Sequence, residues 1–351
     1  MRTVFVMLIA WLISGNVLAQ AIPVEPLPGL PTATSNNAVT LVESGDGVYL
    51  YSFLGLGSGK TWKDISSSAF VLSPGAASWT ELEPVPGRAG RLAASAVSVG
   101  GAAWLFGGYT VAADGSEESV AGVYRIRPGQ SALKWVTDMP VPVEDSVLLV
   151  YQDRYIYLVS GWHDLGNVNL VQVLDTQTLS WAQGTPWPGA PVFGHSGGMS
   201  DGQMLICDGV RIQYPKDDSP RQFLPSDQCW AGRIGEDNHR RIHWRSVPSH
   251  PGVSRYRMAA TGDSRQRVVF AGGSANPYNF NGSGYDGEPS EAEKSVFGYS
   301  FETGDWQRLG DLPRGTMDHR GLLFSDEWYY LVGGMQNPQA VTPDVYRFRI
   351  E

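Results

Sequence analysis

Short apolar runs that stop at glycine recur along the chain, separated by polar stretches rich in Asp, Asn, Ser and Pro. AAWLFGG (102–108), YIYLVSG (155–161), RVVFAGG (267–273) and WYYLVGG (328–334) share one form, and GVYLYSFLG (47–55) and GQMLICDG (202–209) are weaker copies. Runs this short, bounded by turn formers, predict strands rather than helices. A second mark follows each of the first five: a strand-like run ending in Trp79, Trp135, Trp181, Trp244 or Trp306, then a proline-bearing stretch. The period of roughly fifty to sixty residues lies in the range of propeller blades.

One such unit predicts a four-stranded sheet that cannot bury its own faces. Neighbouring sheets bury each other, and closing them into a ring removes most exposed edges. The glycines let inner strands crowd the axis and turn sharply. The tryptophans are expected to wedge between blades where the ring diverges. The last unit has Gly333–Gly334 and a third run, DVYRFRI (344–350), but no tryptophan strand. The N-terminal stretch 21–40 resembles the blade-ending stretch 79–98, so the N-terminal strand is expected to complete the sixth blade.

A glycine pair after a strand can also open a phosphate cradle. GLGSGKT (55–61) has the Gly-Lys-Thr ending but not the spacing of a P-loop, and no helix-period pattern follows it. The pairs therefore read as structural punctuation.

Composition agrees with an all-β chain: 42 glycines and only 17% charged residues. A formal charge of −9 excludes a nucleic-acid partner, which needs a basic surface. Residues 1–19 read as a signal peptide, with Arg2, the apolar run 4–13 and small residues up to Ala19. Residues 20–351 then form one propeller domain, periplasmic or secreted, with no membrane anchor left after cleavage. Cys207 and Cys229 could form a disulfide or stay as two buried thiols, and they lack metal or redox spacing.

Alternating strands put the loops between second and third strands on the same face as the links between blades, where a small-molecule site is expected. The links carry Arg88, Arg91, Arg255, Arg257, Arg314 and Arg320, with Glu144, Asp145, Asp318, His195 and His319 among them. Converging guanidinium groups suit a carboxylate ligand, or they pair with acids of neighbouring blades. The other loops offer Trp162 and the group Tyr278, Asn279, Phe280, Asn281 and Tyr285. Aromatic faces with side-chain amides suit sugar rings, although Asx turns would explain the same loop. His239 and His243 lack an obvious carboxylate partner, so no metal site and no cofactor are expected.

The glycine-pair and tryptophan pattern resembles the kelch repeat over nearly all of residues 20–351, which implies a six-bladed β-propeller. Among exported kelch proteins, the opening blade SFLGLGSGKTWK (52–63), the long Asn/Gly/Tyr loop and the N-terminal closure are similar to those of bacterial N-acetylneuraminate epimerases, the sialic acid mutarotases. That resemblance implies catalysis by a fourth-blade glutamate and an arginine. The matching stretch LICDGVRIQYP (205–215) offers Asp208 and Arg211 instead, with Glu144 a further candidate. The related propeller of galactose oxidase carries a copper site whose ligands have no counterpart here. Two functions follow: binding of a carbohydrate or protein ligand through the loop-rich face, or sugar mutarotation at the central channel.

Overall fold

The computed structural model describes residues 20–350 apart from Arg88 and Asp218; the signal segment and the Arg88 candidate lie outside the described residues. Six four-stranded antiparallel sheets make the ring. In the first, Ala38–Ser44, Gly47–Phe53, Ala69–Leu72 and Thr80–Glu81 pair in chain order. Four more follow, beginning at Ser95–Val99, Val147–Tyr151, Ser196–Ser200 and Ala259–Gly262. The sixth contains Leu323–Ser325, Trp328–Val332 and Val345–Phe348, and its fourth strand is Val24–Pro26, with Val24 opposite Phe348. The N-terminal strand thus closes the ring, as the pairing of chain ends in the sequence implies.

The second strand of each blade reads as a continuous apolar run because blades cover it on both sides. Ala102–Phe106, for example, is buried at every position. Between the first two blades, Tyr51, Phe53 and Val71 pack with Leu105, Tyr124 and Ile126. Each such side chain contributes about 1.5–3 kcal/mol by leaving water. Four of the five marker tryptophans bridge to the preceding blade through the indole N–H. Trp79 donates to the Pro28 carbonyl (2.7 Å), Trp306 to Pro248 (2.8 Å), Trp244 to Thr185 (3.4 Å) and Trp181 to the Thr137 hydroxyl (3.3 Å). Trp135 departs from the wedge expectation: it is 59% exposed and donates to Asp138 of its own strand.

Cys207 and Cys229 lie directly opposite on the second and third strands of blade four and form a disulfide. The six first strands line an axial channel of about 340 Å³. Among the described residues, no helix is long and apolar enough to cross a membrane.

Candidate functional site

Each blade's second strand ends in two residues of left-handed backbone. The first is Leu54, Gly107, Ser160, Asp208, Gly272 or Gly333, and the second is always glycine, from Gly55 to Gly334. The residue after this pair bridges to the link that enters its own blade: Leu56 to Ser35, Tyr109 to Leu92, Trp162 to Glu144, Val210 to Phe193, Ser274 to Tyr256 and Met335 to Met317. A Cβ at Gly161 would stand 2.7 Å from the Glu144 carbonyl, and one at Gly108 would stand 2.6 Å from that of Leu92. The glycine admits that backbone while its own N–H donates to the link entering the next blade, as Gly161 does to Val192 (2.9 Å) and Gly273 to Thr316 (2.8 Å), so the punctuation is a cross-blade clasp.

Immediately after the clasped link residue comes a second ring of left-handed residues: Asn36, Ala93, Asp145, Gly194, Arg257 and Asp318. Each link is tied to the one before it. Asp145 N–H donates to the Ala93 carbonyl (3.0 Å), Gly194 to Asp145 (3.0 Å), Arg257 to Gly194 (2.9 Å) and Asn36 to Asp318 (3.0 Å). Ala93 N–H meets the Asn36 side-chain oxygen, and His319 N–H reaches the Arg257 carbonyl at 3.3 Å. This hoop encircles the axis and carries an ion cluster. The Arg257 guanidinium donates to Asp145 (2.6 Å) and Asp318 (2.9 Å), Arg320 donates to the other Asp145 oxygen, and the Asn36 amide donates to Asp318 (2.8 Å). Two arginines and two aspartates balance, so their charges serve the hoop rather than an external carboxylate. Arg320 faces the axial channel, while Arg257 and Asp145 face a second cavity on the loop side. The cluster divides the two.

That second cavity, of about 310 Å³, lies among the loops of blades two to five. Its walls include Tyr109, Trp162, Phe193, Phe223, Phe280 and Tyr285, with Asn279, Glu117, Glu144 and Arg221 as polar members. Phe223 and Tyr285 stack at 4.1 Å, and Trp162 meets Phe193 edge-on at 5.5 Å. The Arg221 guanidinium lies 4.9 Å from the Trp162 ring and 5.3 Å from that of Phe223. Glu144 is 5% exposed, and one carboxyl oxygen has no hydrogen-bond partner. Burial pushes its carboxyl well above the usual range. The neighbouring Asp164 and Glu117 reinforce the shift, and the adjacent Ser119 hydroxyl opposes it. Glu117 at the rim is raised by desolvation and held back by Arg257 and Arg221. Burial also pushes the Tyr285 phenol up to about 12.

Of the residues singled out in the sequence, Glu144, Asp145, Arg257, Trp162, Asn279, Phe280 and Tyr285 meet in this cavity. Tyr278 is buried beneath it, against Tyr256 and Arg257. The others go elsewhere. Asp208 is buried outside both cavities, accepting from His250 (2.7 Å) and from the Arg255 backbone N–H (2.7 Å). Arg211 is exposed on the ribbon Val210–Gln213, and Arg314 is exposed in its link. Arg91 and Arg255 donate to the Gly107 and Gly272 carbonyls of the next blade (2.8 and 3.1 Å) and cover Tyr124 and Phe297. They act as struts. His195 and His319 line the channel on the far side of the ion cluster, where burial pulls each down to about 4. Asn281 is exposed and caps the Ser283 N–H (3.0 Å), the Asx turn that its loop composition allowed.

Glu117, Arg221, Phe223, Tyr109 and Phe193 escape sequence reading. For Glu144 a signal did exist. Aligning the six links places it in register with Ser35, Leu92, Phe193, Tyr256 and Met317, so it is the one charged residue in that series.

No family model matches the chain. It is 25% identical over 269 residues to Kelch-like protein 15 of Danio rerio, an alignment covering 73% of this chain and 40% of that longer protein. The solved structure of YjhT superposes with a TM-score of 0.72 at 17% identity, over 93% of this chain and 97% of the other. The clasp repeated six times, the ring and the structural likeness agree: the chain is a six-bladed β-propeller, with sequence similarity to a kelch-like protein.

Proposed function

We propose that the chain is an exported propeller that binds a carbohydrate in the loop-face cavity. One observation carries the reading: aromatic walls enclose a few polar groups, Glu144, Glu117, Asn279 and Arg221, in a pocket of ligand size. Aromatic faces take the C–H side of a sugar, and the polar groups take its hydroxyls. Arg221 makes no ion pair among the described residues, and its fork suits a sugar carboxylate or a pair of hydroxyls. Export is supported by the charged, apolar and small-residue order of residues 1–19 and by the Cys207–Cys229 disulfide, since such bonds persist in oxidising compartments. The test is saturation-transfer NMR with N-acetylneuraminate, glucuronate, galactose and glucose. Transfer to at least one sugar, lost in Trp162→Ala, is expected; no transfer to any of them contradicts the reading.

A second reading is a sugar mutarotase of the N-acetylneuraminate epimerase type, and Glu144 favours it. Ring opening needs an acid at the ring oxygen, and Glu144 offers a largely buried carboxyl among the residues that line a sugar-sized cavity. Asp208 and Arg211 do not enter this reading, since neither lines the cavity. Nor does the channel, where no carboxylate is among the lining residues. Faster anomer exchange of N-acetylneuraminate with the protein than without it is the expected result, and an unchanged rate removes the reading.

A further inference from the structure

We propose that the loop-face cavity takes one end of an oligosaccharide, and that the exposed ring of Tyr214 is the platform for the next sugar of the chain. The inference rests on the carbohydrate reading above and adds to it the length of the ligand and the residue that selects it.

Two hairpins place the platform. The blade-three hairpin pairs Trp162 with Asn167 and His163 with Gly166, leaving Asp164 and Leu165 at its tip. The blade-four ribbon pairs Ile212 with Phe223 and Gln213 with Gln222. Directly opposed residues of an antiparallel pair share a face, and so do residues two apart on one strand. Tyr214 lies two beyond Ile212 and Arg221 two before Phe223, so both continue the face that carries the Phe223 ring. Contacts across the gap agree. The Arg221 guanidinium lies against the Trp162 and Phe223 rings, and the Tyr214 hydroxyl donates to the Leu165 carbonyl (3.3 Å).

The hairpins are clipped together at both ends. At the base the Asn167 amide donates to the Pro191 and Val210 carbonyls (3.0 and 2.9 Å). At the tip Gly166 leaves room for the Tyr214 hydroxyl, which a Cβ there would meet at 2.7 Å. Tyr214 is thus pinned by its polar end while its ring stays bare: the residue is 61% exposed, and Leu165 beside it is 83% exposed. Two large apolar side chains exposed together at the mouth of a cavity carry its lining outward.

The order of the groups makes a chain of sugars the occupant. Tyr285 stacks on Phe223 inside the cavity, Arg221 follows over Phe223 and Trp162, and Tyr214 stands across the ribbon from Arg221 at the rim. Two residues of strand span about 6.6 Å, a step on the order of one sugar ring. The C–H face of a second sugar stacks on Tyr214, and the guanidinium between the two positions donates to hydroxyls of either ring. A monosaccharide would fill the cavity and leave Tyr214 bare. A protein seated on Leu165 and Tyr214 would have no use for the cavity behind them.

The experiment measures dissociation constants by isothermal calorimetry with the full chain. Each monosaccharide is compared with an oligosaccharide that ends in it: N-acetylneuraminate with 3′-sialyllactose, glucuronate with a hyaluronan tetrasaccharide, galactose with lactose, and glucose with cellotetraose. In at least one pair the oligosaccharide should bind at least about tenfold tighter. Tyr214→Ala should remove that advantage and leave the monosaccharide affinity unchanged, since Tyr214 is not part of the cavity lining. Tyr214→Phe, which keeps the ring and loses only the bond to Leu165, should retain most of the advantage. Trp162→Ala should abolish binding at both lengths. Equal affinity within every binding pair, an advantage that survives Tyr214→Ala, or an equal loss at both lengths in Tyr214→Ala overturns the inference and leaves the carbohydrate reading intact. Absence of binding by every sugar overturns both.

Discussion

Two buried carboxyl groups lie on the loop side of the ring, and they could hardly be kept more differently. Asp208 occupies the first left-handed slot of the blade-four clasp, where it accepts from His250 and from the Arg255 N–H. Glu144 occupies a clasped link position that is mostly apolar in the other blades and lines an aromatic cavity; each acid keeps one buried oxygen without a partner, but the other Asp208 oxygen accepts two hydrogen bonds. Burial raises both. One acid is spent on joining blades; the other is maintained at a cost to stability with nothing in the fold to repay it. A buried acid that lines a cavity rather than joining blades marks a site of function.

The comparison can be broken in several places. The largest effect lies on the acid side and spares both carboxyls. His195 and His319 are held neutral with values near 4, against 6.5 when unfolded. The unfolded chain binds more protons below 6.5, so stability falls as pH drops from about 6.5 to 4 and then levels off. The loss approaches about 3 kcal/mol per histidine, and Tm followed by circular dichroism across this window checks it. Next, Asp208→Ala leaves His250 and the Arg255 N–H unpaired, for a loss of about 2–4 kcal/mol. Denaturant unfolding should record that loss while saturation transfer to the bound sugar stays unchanged. Replacing both Cys207 and Cys229 by serine should cost about 3 kcal/mol by loop entropy, again with binding intact.

Glu144→Gln gives the smallest shift and the opposite sign. A carboxyl raised in the folded state above its unfolded value costs stability increasingly as pH rises past the unfolded value, until the folded value is passed. Removing the charge should therefore raise Tm by a few degrees at neutral pH and flatten its decline toward alkaline pH. A destabilised Glu144→Gln protein would show that Glu144, like Asp208, is a structural acid.

The fold was legible because its repeat is physical. Six apolar runs stop where backbone must cross backbone, and glycine is the residue that permits the approach. The fourth strand of the last blade was readable for the same reason, since residues 21–40 copy the form of a blade ending. The arginines misled because type and position along a link do not tell inward from outward. Arg91 and Arg255 turn into the clasp, Arg257 and Arg320 into the hoop, and Arg314 into solvent. Glu117 and Arg221 stand in loops of blades two and four, outside the repeat, where no register predicts which way a side chain points. Glu144 could have been found by its misfit with the apolar residues that fill most of the equivalent positions.

The most direct measurement is a carbon-13 titration of the glutamate side-chain carboxyls. The account predicts one resonance that titrates well above the ordinary carboxylate range, vanishes in Glu144→Gln and moves when a binding sugar is added, while the Asp208 carboxyl does not respond to the sugar. A Glu144 resonance that titrates like an exposed glutamate, or is indifferent to every sugar that binds, would contradict it.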